Sequence, residues 1–139
     1  MSAVRRIVLD ASVGVKWFRD EAGTGDALEL LHAHGRGEVE LVVPSLFVYE
    51  VVSVVTRSMP AAHADAFWER FVSWRVSVVE VGATLVRGAL AVRGELGCSF
   101  YDAVAPALAR ELEAQLCSAD VRAHGGWPEV MLLPKPVSS

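Results

Sequence analysis

Short apolar runs alternate along this sequence with longer segments that have the apolar spacing of helices. Runs of this length, rich in branched side chains, are typical of strands buried on both faces of a parallel sheet. The predicted strands are residues 7–9, 41–43, 76–81, 116–117 and 130–133. The predicted helices are residues 24–34, 45–57, 61–74, 84–96 and 99–115. The alternation predicts an α/β fold in which helices flank a central parallel sheet, joined by right-handed crossovers.

The length of 139 residues suits a single domain, 1–139, in which residues 134–139 are expected to form a flexible tail. The longest apolar stretch, residues 42–55, is interrupted by polar residues. It falls short of the roughly 18 apolar residues that a membrane-spanning helix needs. An apolar run near the amino terminus is ended by Asp10 too early for a signal peptide. We therefore expect a cytoplasmic protein with no membrane partner.

The charge balance limits how this chain can meet nucleic acid. Its 13 basic and 17 acidic residues give a net charge of −4, which argues against a broad basic face. Contacts to phosphate would then be local, and the candidates are Lys16, Arg19, Arg57, Arg93 and Arg122. The two cysteines, Cys98 and Cys117, are too far apart in sequence for a zinc clip and are expected to be buried thiols.

Two aspartates directly follow predicted strands. Asp10 comes after the first strand, and Asp120 comes after the fourth. Ligands of open parallel sheets bind at the carboxyl ends of the strands, so both carboxylates are expected at the same rim. A structural interpretation is also open, because Asp10 could cap the next helix with help from Ser12, and Asp120 could begin a turn.

Glu50 places a carboxylate on a largely apolar stripe of a predicted helix. Its neighbours at helical spacing are Leu46, Phe47, Ser53 and Val54. A buried charge needs a partner, and no Lys or Arg lies at helical spacing on either side. The partner would have to be a basic side chain from elsewhere in the fold, a protonated neighbour or a metal ion.

Asp102 falls in the first turn of the last predicted helix, three residues after Ser99. Helix capping alone could explain this pair. The helix that follows is apolar and rich in alanine, so it would pack closely on the sheet and bring Asp102 to the rim if it runs back from that end. Four carboxylates that converge cannot all stay ionised without a cation, and Mg²⁺ or Mn²⁺ suits oxygen ligands.

Four segments together resemble the PIN domain family, and within it the VapC-type ribonuclease toxins of bacterial toxin–antitoxin pairs. IVLDAS at residues 7–12 resembles the first strand with its leading aspartate. Residues 43–51, which contain VPS and YEV, resemble the proline-opened helix that carries the glutamate. GCSFYDA at 97–103 resembles the motif of the second aspartate, and SAD at 118–120 resembles the Thr/Ser-x-Asp strand end. Together, and in this order, they are specific.

The resemblance implies a sheet of about five strands in the order 3-2-1-4-5 and a Mg²⁺- or Mn²⁺-dependent endoribonuclease. It also implies a homodimer that cuts RNA and is inhibited by a small cognate antitoxin protein. The implied catalytic and metal-binding residues are Asp10, Glu50, Asp102 and Asp120. Ser12 and Ser118 would orient these carboxylates by hydrogen bonding.

One departure from the family pattern concerns Pro106, four residues after Asp102. Proline removes the hydrogen bond to the carbonyl of Asp102 and clashes with it, so we expect the helix to be kinked or to start late. A second departure follows Asp120, where the chain continues with a Gly125-Gly126 turn.

Two other functions remain open at this stage. A catalytically silent PIN domain would act only as a binding or assembly module. An enzyme that forms an aspartyl phosphate on Asp10 would need a second acid two residues later, where the chain has Ser12, and it would give Glu50 and Asp102 no purpose.

Overall fold

The computed structural model describes residues 4–136 and contains a five-stranded, all-parallel sheet in the order β3-β2-β1-β4-β5. The strands are Arg5–Leu9 (β1), Val39–Pro44 (β2), Ser77–Val79 (β3), Gln115–Ser118 (β4) and Met131–Leu132 (β5). The predicted α/β fold and strand order are therefore confirmed. Each of the five predicted apolar runs overlaps one strand.

Seven α-helices and two 3₁₀ turns connect the strands within residues 4–136. The helices are Ala11–Gly14 (α1), Thr24–Gly35 (α2), Ser45–Thr56 (α3), Ala64–Ser73 (α4), Ala83–Leu96 (α5), Phe100–Glu111 (α6) and Val121–His124 (α7). The 3₁₀ turns are Val15–Trp17 and Ala61–His63. Three predictions needed correction. The last predicted helix, 99–115, ends at Glu111, and the segment 61–74 divides into a 3₁₀ turn and α4. Helices α1 and α7 were not among the predicted helices, although a helix capped by Asp10 was one open interpretation.

Helices cover both faces of the sheet, which explains why its strands are continuously apolar. Ile7 and Leu9 of β1 point into one core, with Trp17, Phe47 and other aromatic side chains. Val8, between them, points to the opposite face and packs with residues of α5 and α6. Successive side chains of a strand alternate between faces, so both cores draw on the same short runs.

Helix α6 packs tightly on this second face. Its buried side chains are small or apolar, namely Ala103, Val104, Ala105, Pro106, Ala107, Leu108 and Ala109. The helix contacts α5 and strands β1, β2 and β4. The packing orients the helix so that its first turn, with Asp102, lies at the carboxyl-end rim of the sheet, next to Asp120.

Some expectations for single residues were wrong. Cys117 is buried as predicted, but Cys98 is only partly buried. Lys16, a candidate for phosphate contact, is fully buried, and its Nζ donates a hydrogen bond to the carbonyl of Ala22.

Of the predicted tail, residues 134–136 have no regular secondary structure, and residues 137–139 lie outside the described residues. No helix between residues 4 and 136 is long and apolar enough to cross a membrane.

Candidate active site

Asp10 lies at the carboxyl end of β1 and is also the N-cap of α1. Its Oδ2 accepts hydrogen bonds from the backbone amide of Ser12, at 3.0 Å, and from the Ser12 hydroxyl, at 2.6 Å. The hydroxyl oxygen in turn accepts a bond from the amide of Ala119, at 2.9 Å, in the segment after β4. Ser12 therefore ties the Asp10 carboxylate to the ends of two neighbouring strands.

Asp120 occupies the equivalent place after β4 and caps α7. Its Oδ1 accepts from the amide of Ala123, at 3.1 Å, and its own amide donates to the Ser118 hydroxyl, at 3.0 Å. Capping and a place at the rim are thus not alternatives for either aspartate. In each case capping engages one carboxylate oxygen, and within residues 4–136 the other oxygen makes no hydrogen bond.

Glu50 lies in the second turn of α3, which begins directly after Pro44 ends β2. Its carboxyl group is half-buried, and within the described part of the chain it forms no salt bridge. Burial, reinforced by the negative charges of Asp10 and Asp102, raises the pKa of Glu50 to about 7. The described residues therefore give Glu50 no basic partner. Of the partners expected for its carboxyl group, a bound proton or a cation is left.

Asp102 is the third residue of α6, and its amide donates to the Ser99 hydroxyl at 3.1 Å. With Asp120 and Arg122, Asp102 lines an open cavity of about 440 Å³. A neighbouring cavity of about 430 Å³ shares Asp120 and Arg122 and is also lined by Ser12. The larger cavity, of about 590 Å³, lies among aromatic side chains and contains none of the four predicted acids.

Helix α6 does not start late, although it contains Pro106. It begins at Phe100, directly after its cap Ser99, so of the two expected alternatives, a kink or a late start, the late start was wrong. The Asp102 carbonyl, which a helical amide at Pro106 would otherwise bond, lies 2.6 Å from Nε2 of His124. His124 is fully buried, and its Nδ1 lies 2.7 Å from the Ser118 hydroxyl. A side chain outside the predicted site thus joins Asp102 to the strand end that carries Asp120.

The donor set fits a hard divalent cation, but the side chains do not yet surround one. Such ions prefer carboxylate ligands. A cation would also reduce the repulsion between Glu50 and the negative charges of Asp10 and Asp102. Within residues 4–136, however, no three His, Cys, Asp or Glu side chains are close enough to hold one ion. Both observations are compatible, because charges interact over longer distances than the roughly 2.1 Å of a coordination bond. Side-chain rotation would be needed to complete a site.

A family model for the PIN domain matches residues 7–124. The chain belongs to the PIN domain family. The matched region extends from β1 through α7 and includes all four predicted acids. The resemblance to the PIN domain family inferred from the sequence motifs is therefore confirmed. A comparison with curated proteins found no match.

Solved structures share this PIN fold over nearly the whole chain. The toxin–antitoxin complex from Klebsiella pneumoniae superimposes with a TM-score of 0.73 at 16% identity, covering 94% of this chain and 99% of that one. VapBC2 from Rickettsia felis, bound to a promoter DNA fragment, gives 0.69 at 16% identity, with 91% and 96% covered. VapC20 from Mycobacterium tuberculosis, a Sarcin-Ricin loop cleaving toxin, gives 0.68 at 22% identity, with 92% and 99% covered.

Sequence reasoning missed His124, although the sequence contained a signal for it. Pro106 deprives the Asp102 carbonyl of its helical donor, so this PIN domain had to supply another donor or leave the carbonyl unsatisfied. Two of the remaining candidates for phosphate contact, Arg122 and Arg19, lie in different surroundings. Arg122 lines both cavities beside Asp120, whereas Arg19 donates to the carbonyl of Val54 at the end of α3.

Proposed function

We propose that this PIN domain is a Mg²⁺- or Mn²⁺-dependent endoribonuclease, the toxin of a toxin–antitoxin pair. The observation that carries the proposal is the half-buried Glu50 carboxyl, which shares the rim with Asp10 and Asp102 and lacks a basic partner within residues 4–136. A metal-dependent nuclease uses such a cluster of acids to hold a cation next to the negative charge of a phosphodiester. The fold shared with toxin–antitoxin structures supports the biological role.

The residues that would hold the ion are Asp10, Glu50, Asp102 and Asp120. When bound, a divalent ion would activate water and offset the charge that develops on the phosphate during in-line attack. Ser12 fixes one oxygen of Asp10 and leaves the other for a ligand. Ser118 holds the backbone amide of Asp120, so its carboxylate projects from a constrained strand end. With a pKa of about 7, the Glu50 carboxyl is about half protonated at neutral pH, and a bound cation would favour its ionised form.

Cleavage of a structured RNA pool by the purified protein tests the reaction. We expect cutting with Mn²⁺ or Mg²⁺, no cutting with a chelator, and loss of cutting in Asp102→Asn. Asp65→Asn is a matched control, because Asp65 is an exposed aspartate in the first turn of α4, just as Asp102 is in the first turn of α6. Cleavage that survives chelation or Asp102→Asn would contradict the proposal.

The toxin role is tested by expressing the chain alone in bacteria. We expect growth arrest, and we expect Asp10→Asn to relieve it while the variant protein accumulates to the same level. The proposed partners are an RNA substrate in the cytoplasm, a cognate antitoxin and a second copy of the chain. Sedimentation of the purified protein at micromolar concentration should show the dimer, and a monomer would contradict that part.

A silent PIN domain is the second candidate, and one observation favours it. Within the described residues no three ligating side chains lie close enough together for one ion. Titration calorimetry separates the two functions, because a silent module would bind no Mn²⁺. The aspartyl-phosphate alternative is less compatible with the structure, since Asp10 is hydrogen-bonded to the Ser12 hydroxyl where that chemistry needs an acid.

A further inference from the structure

The carbonyl of Asp102 sits where a helix normally satisfies it internally. In an α-helix the amide four residues later donates to each carbonyl, and for Asp102 that residue is Pro106, which has no amide hydrogen. The carbonyl therefore depends on a donor from outside α6. His124 Nε2, at 2.6 Å, is that donor.

The hydrogen-bond directions around His124 follow from the groups it meets. A carbonyl oxygen only accepts, so Nε2 carries the hydrogen. In the neutral ring Nδ1 then accepts, and its neighbour at 2.7 Å is the Ser118 hydroxyl, which donates to it. The Ser118 oxygen remains free to accept the Asp120 amide, at 3.0 Å. A continuous chain of bonds thus runs from the backbone of Asp102 to the backbone of Asp120.

Burial and backbone contacts make this chain of bonds rigid. The His124 side chain is fully buried, so water does not replace either ring contact. The amide of His124 also donates to the Asp120 carbonyl, at 2.9 Å, which fixes α7 to the end of β4. A shift of the ring would therefore change the positions of both Asp102 and Asp120, which line the same cavity of about 440 Å³.

We propose that His124 is a positioning residue that sets the place of Asp102 relative to Asp120, replacing the helical bond that Pro106 removes. It touches neither carboxylate and acts through the backbone of α6 and the hydroxyl of Ser118. The inference rests on the proposed function in one respect, namely that these two carboxylates belong to a divalent-cation site. Its specific content is the dependence of that site on the His124–Asp102 bond.

Four single substitutions and one double variant test the inference, with Mn²⁺ binding measured by calorimetry and thermal unfolding measured in chelator. His124→Gln keeps a donor near the position of Nε2, whereas His124→Asn keeps one only near Nδ1. Pro106→Ala returns an amide to the Asp102 carbonyl, and it is combined with His124→Ala. Loss of a hydrogen-bonding partner behind a metal ligand typically weakens metal affinity about 10- to 100-fold.

We expect His124→Ala and His124→Asn to weaken Mn²⁺ binding by about tenfold or more, and His124→Gln to retain most of it. We expect Pro106→Ala to recover part of the affinity lost in His124→Ala while changing the wild-type affinity little. A merely structural role would lower the melting temperature of all three His124 variants without distinguishing Gln from Asn in Mn²⁺ affinity.

Two results would overturn the inference. One is wild-type Mn²⁺ affinity in folded His124→Asn or His124→Ala, and the other is no energetic coupling between positions 106 and 124 in either measurement. If His124→Ala does not fold, the contrast in Mn²⁺ affinity between His124→Gln and His124→Asn still decides the matter. A wild-type protein that binds no Mn²⁺ and cuts no RNA would instead contradict the proposed function, which separates the two failures.

Discussion

The Ser12 hydroxyl donates a hydrogen bond of 2.6 Å to Oδ2 of Asp10. The Ser12 hydroxyl oxygen accepts a hydrogen bond from the amide of Ala119, so a single hydroxyl joins the carboxylate at the end of β1 to the backbone beyond β4. Because the Ser12 amide also bonds this carboxylate oxygen, the rotamer of Asp10 is set by its own helix cap. The contact that begins α1 is thus the contact that aims Asp10 at the rim.

Ser12→Ala is expected to weaken Mn²⁺ binding and RNA cleavage by about 10- to 100-fold, the usual effect of removing a hydrogen bond behind a ligand. The variant also leaves the Ala119 amide without its acceptor, so its free energy of unfolding should fall by about 1–3 kcal/mol. Ser73→Ala, at an exposed helix end, is the control and should leave metal affinity unchanged. Calorimetry that gives equal affinities for both variants would contradict the orienting role of Ser12.

Gly14 sets how closely α1 approaches α3, which carries Glu50. A Cβ at Gly14 would meet Val51 Cγ2 at 2.8 Å and would lie closer still to the ring of Phe47. Gly14→Ala should therefore lower the free energy of unfolding by about 1–3 kcal/mol, as overpacking of a core does. It should also reduce cleavage, because pushing α1 and α3 apart moves Asp10 away from Glu50.

Gly94→Ala provides the matched comparison for Gly14→Ala. Gly94 lies inside α5 with no atom within 4 Å of an added Cβ, so alanine should raise the free energy of unfolding by about 0.5–1 kcal/mol. Urea unfolding of both variants measures the contrast. If both substitutions changed the free energy of unfolding equally, backbone entropy, and not the contact between α1 and α3, would decide stability at Gly14.

The sheet could be predicted from the sequence because its strands are buried on both faces and therefore consist of continuous apolar runs. The predicted ends of α5 and α6 differ in accuracy, and the residues that follow the two helices explain the difference. Helix α5 ends before Gly97, which adopts a φ of +68°, and its predicted end was right. Helix α6 is followed by Glu113 at a φ of +52°, a conformation that glutamate seldom adopts, so the predicted helix ran four residues too far.

The rim position of Asp10 and Asp120 was likewise predictable, since each follows an apolar run directly. The structural link through His124 was not, because it joins residues 22 positions apart through a ring that sequence spacing leaves unassigned. Pro106 signalled that a donor was missing at Asp102, but only the tertiary structure shows which side chain supplies it. Short helices such as α1 and α7, of four residues each, give no periodic signal.

The two thiols should differ in reactivity. Burial, with a contribution from the negative charge of Asp10, raises the pKa of Cys117 to about 12, so almost no thiolate forms at pH 8. Cys98 is partly exposed, although burial and the charge of Asp102 also raise its pKa. A disulfide reagent at pH 8 should therefore label native Cys98 slowly and Cys117 only after unfolding. Cys98→Ser should leave the native protein unlabelled, and labelling of that variant without denaturant would contradict the burial of Cys117.

Glu50 should make the metal-free protein less stable as the pH rises. Its pKa is about 7 in the folded chain against an ordinary value of 4.5, so between these values the folded state holds a proton that the unfolded state has released. Stability is then unaffected by Glu50 below about pH 4.5, falls as the pH rises from there, and reaches its lower limit above about pH 7. In chelator, Glu50→Gln should therefore melt at a higher temperature than wild type at pH 8, and the two should converge near pH 4.5.

Mn²⁺ should reverse this order. A cation beside Glu50 favours the ionised carboxylate, so at pH 8 saturating Mn²⁺ should raise the melting temperature of wild type more than that of Glu50→Gln. Glu69→Gln, which removes an exposed carboxylate on α4, should follow wild type in chelator and in Mn²⁺. If the melting temperature of Glu50→Gln followed that of wild type at every pH, the Glu50 carboxyl would not be affected by the negative charges of Asp10 and Asp102. The acids at the rim would then not form one electrostatic site.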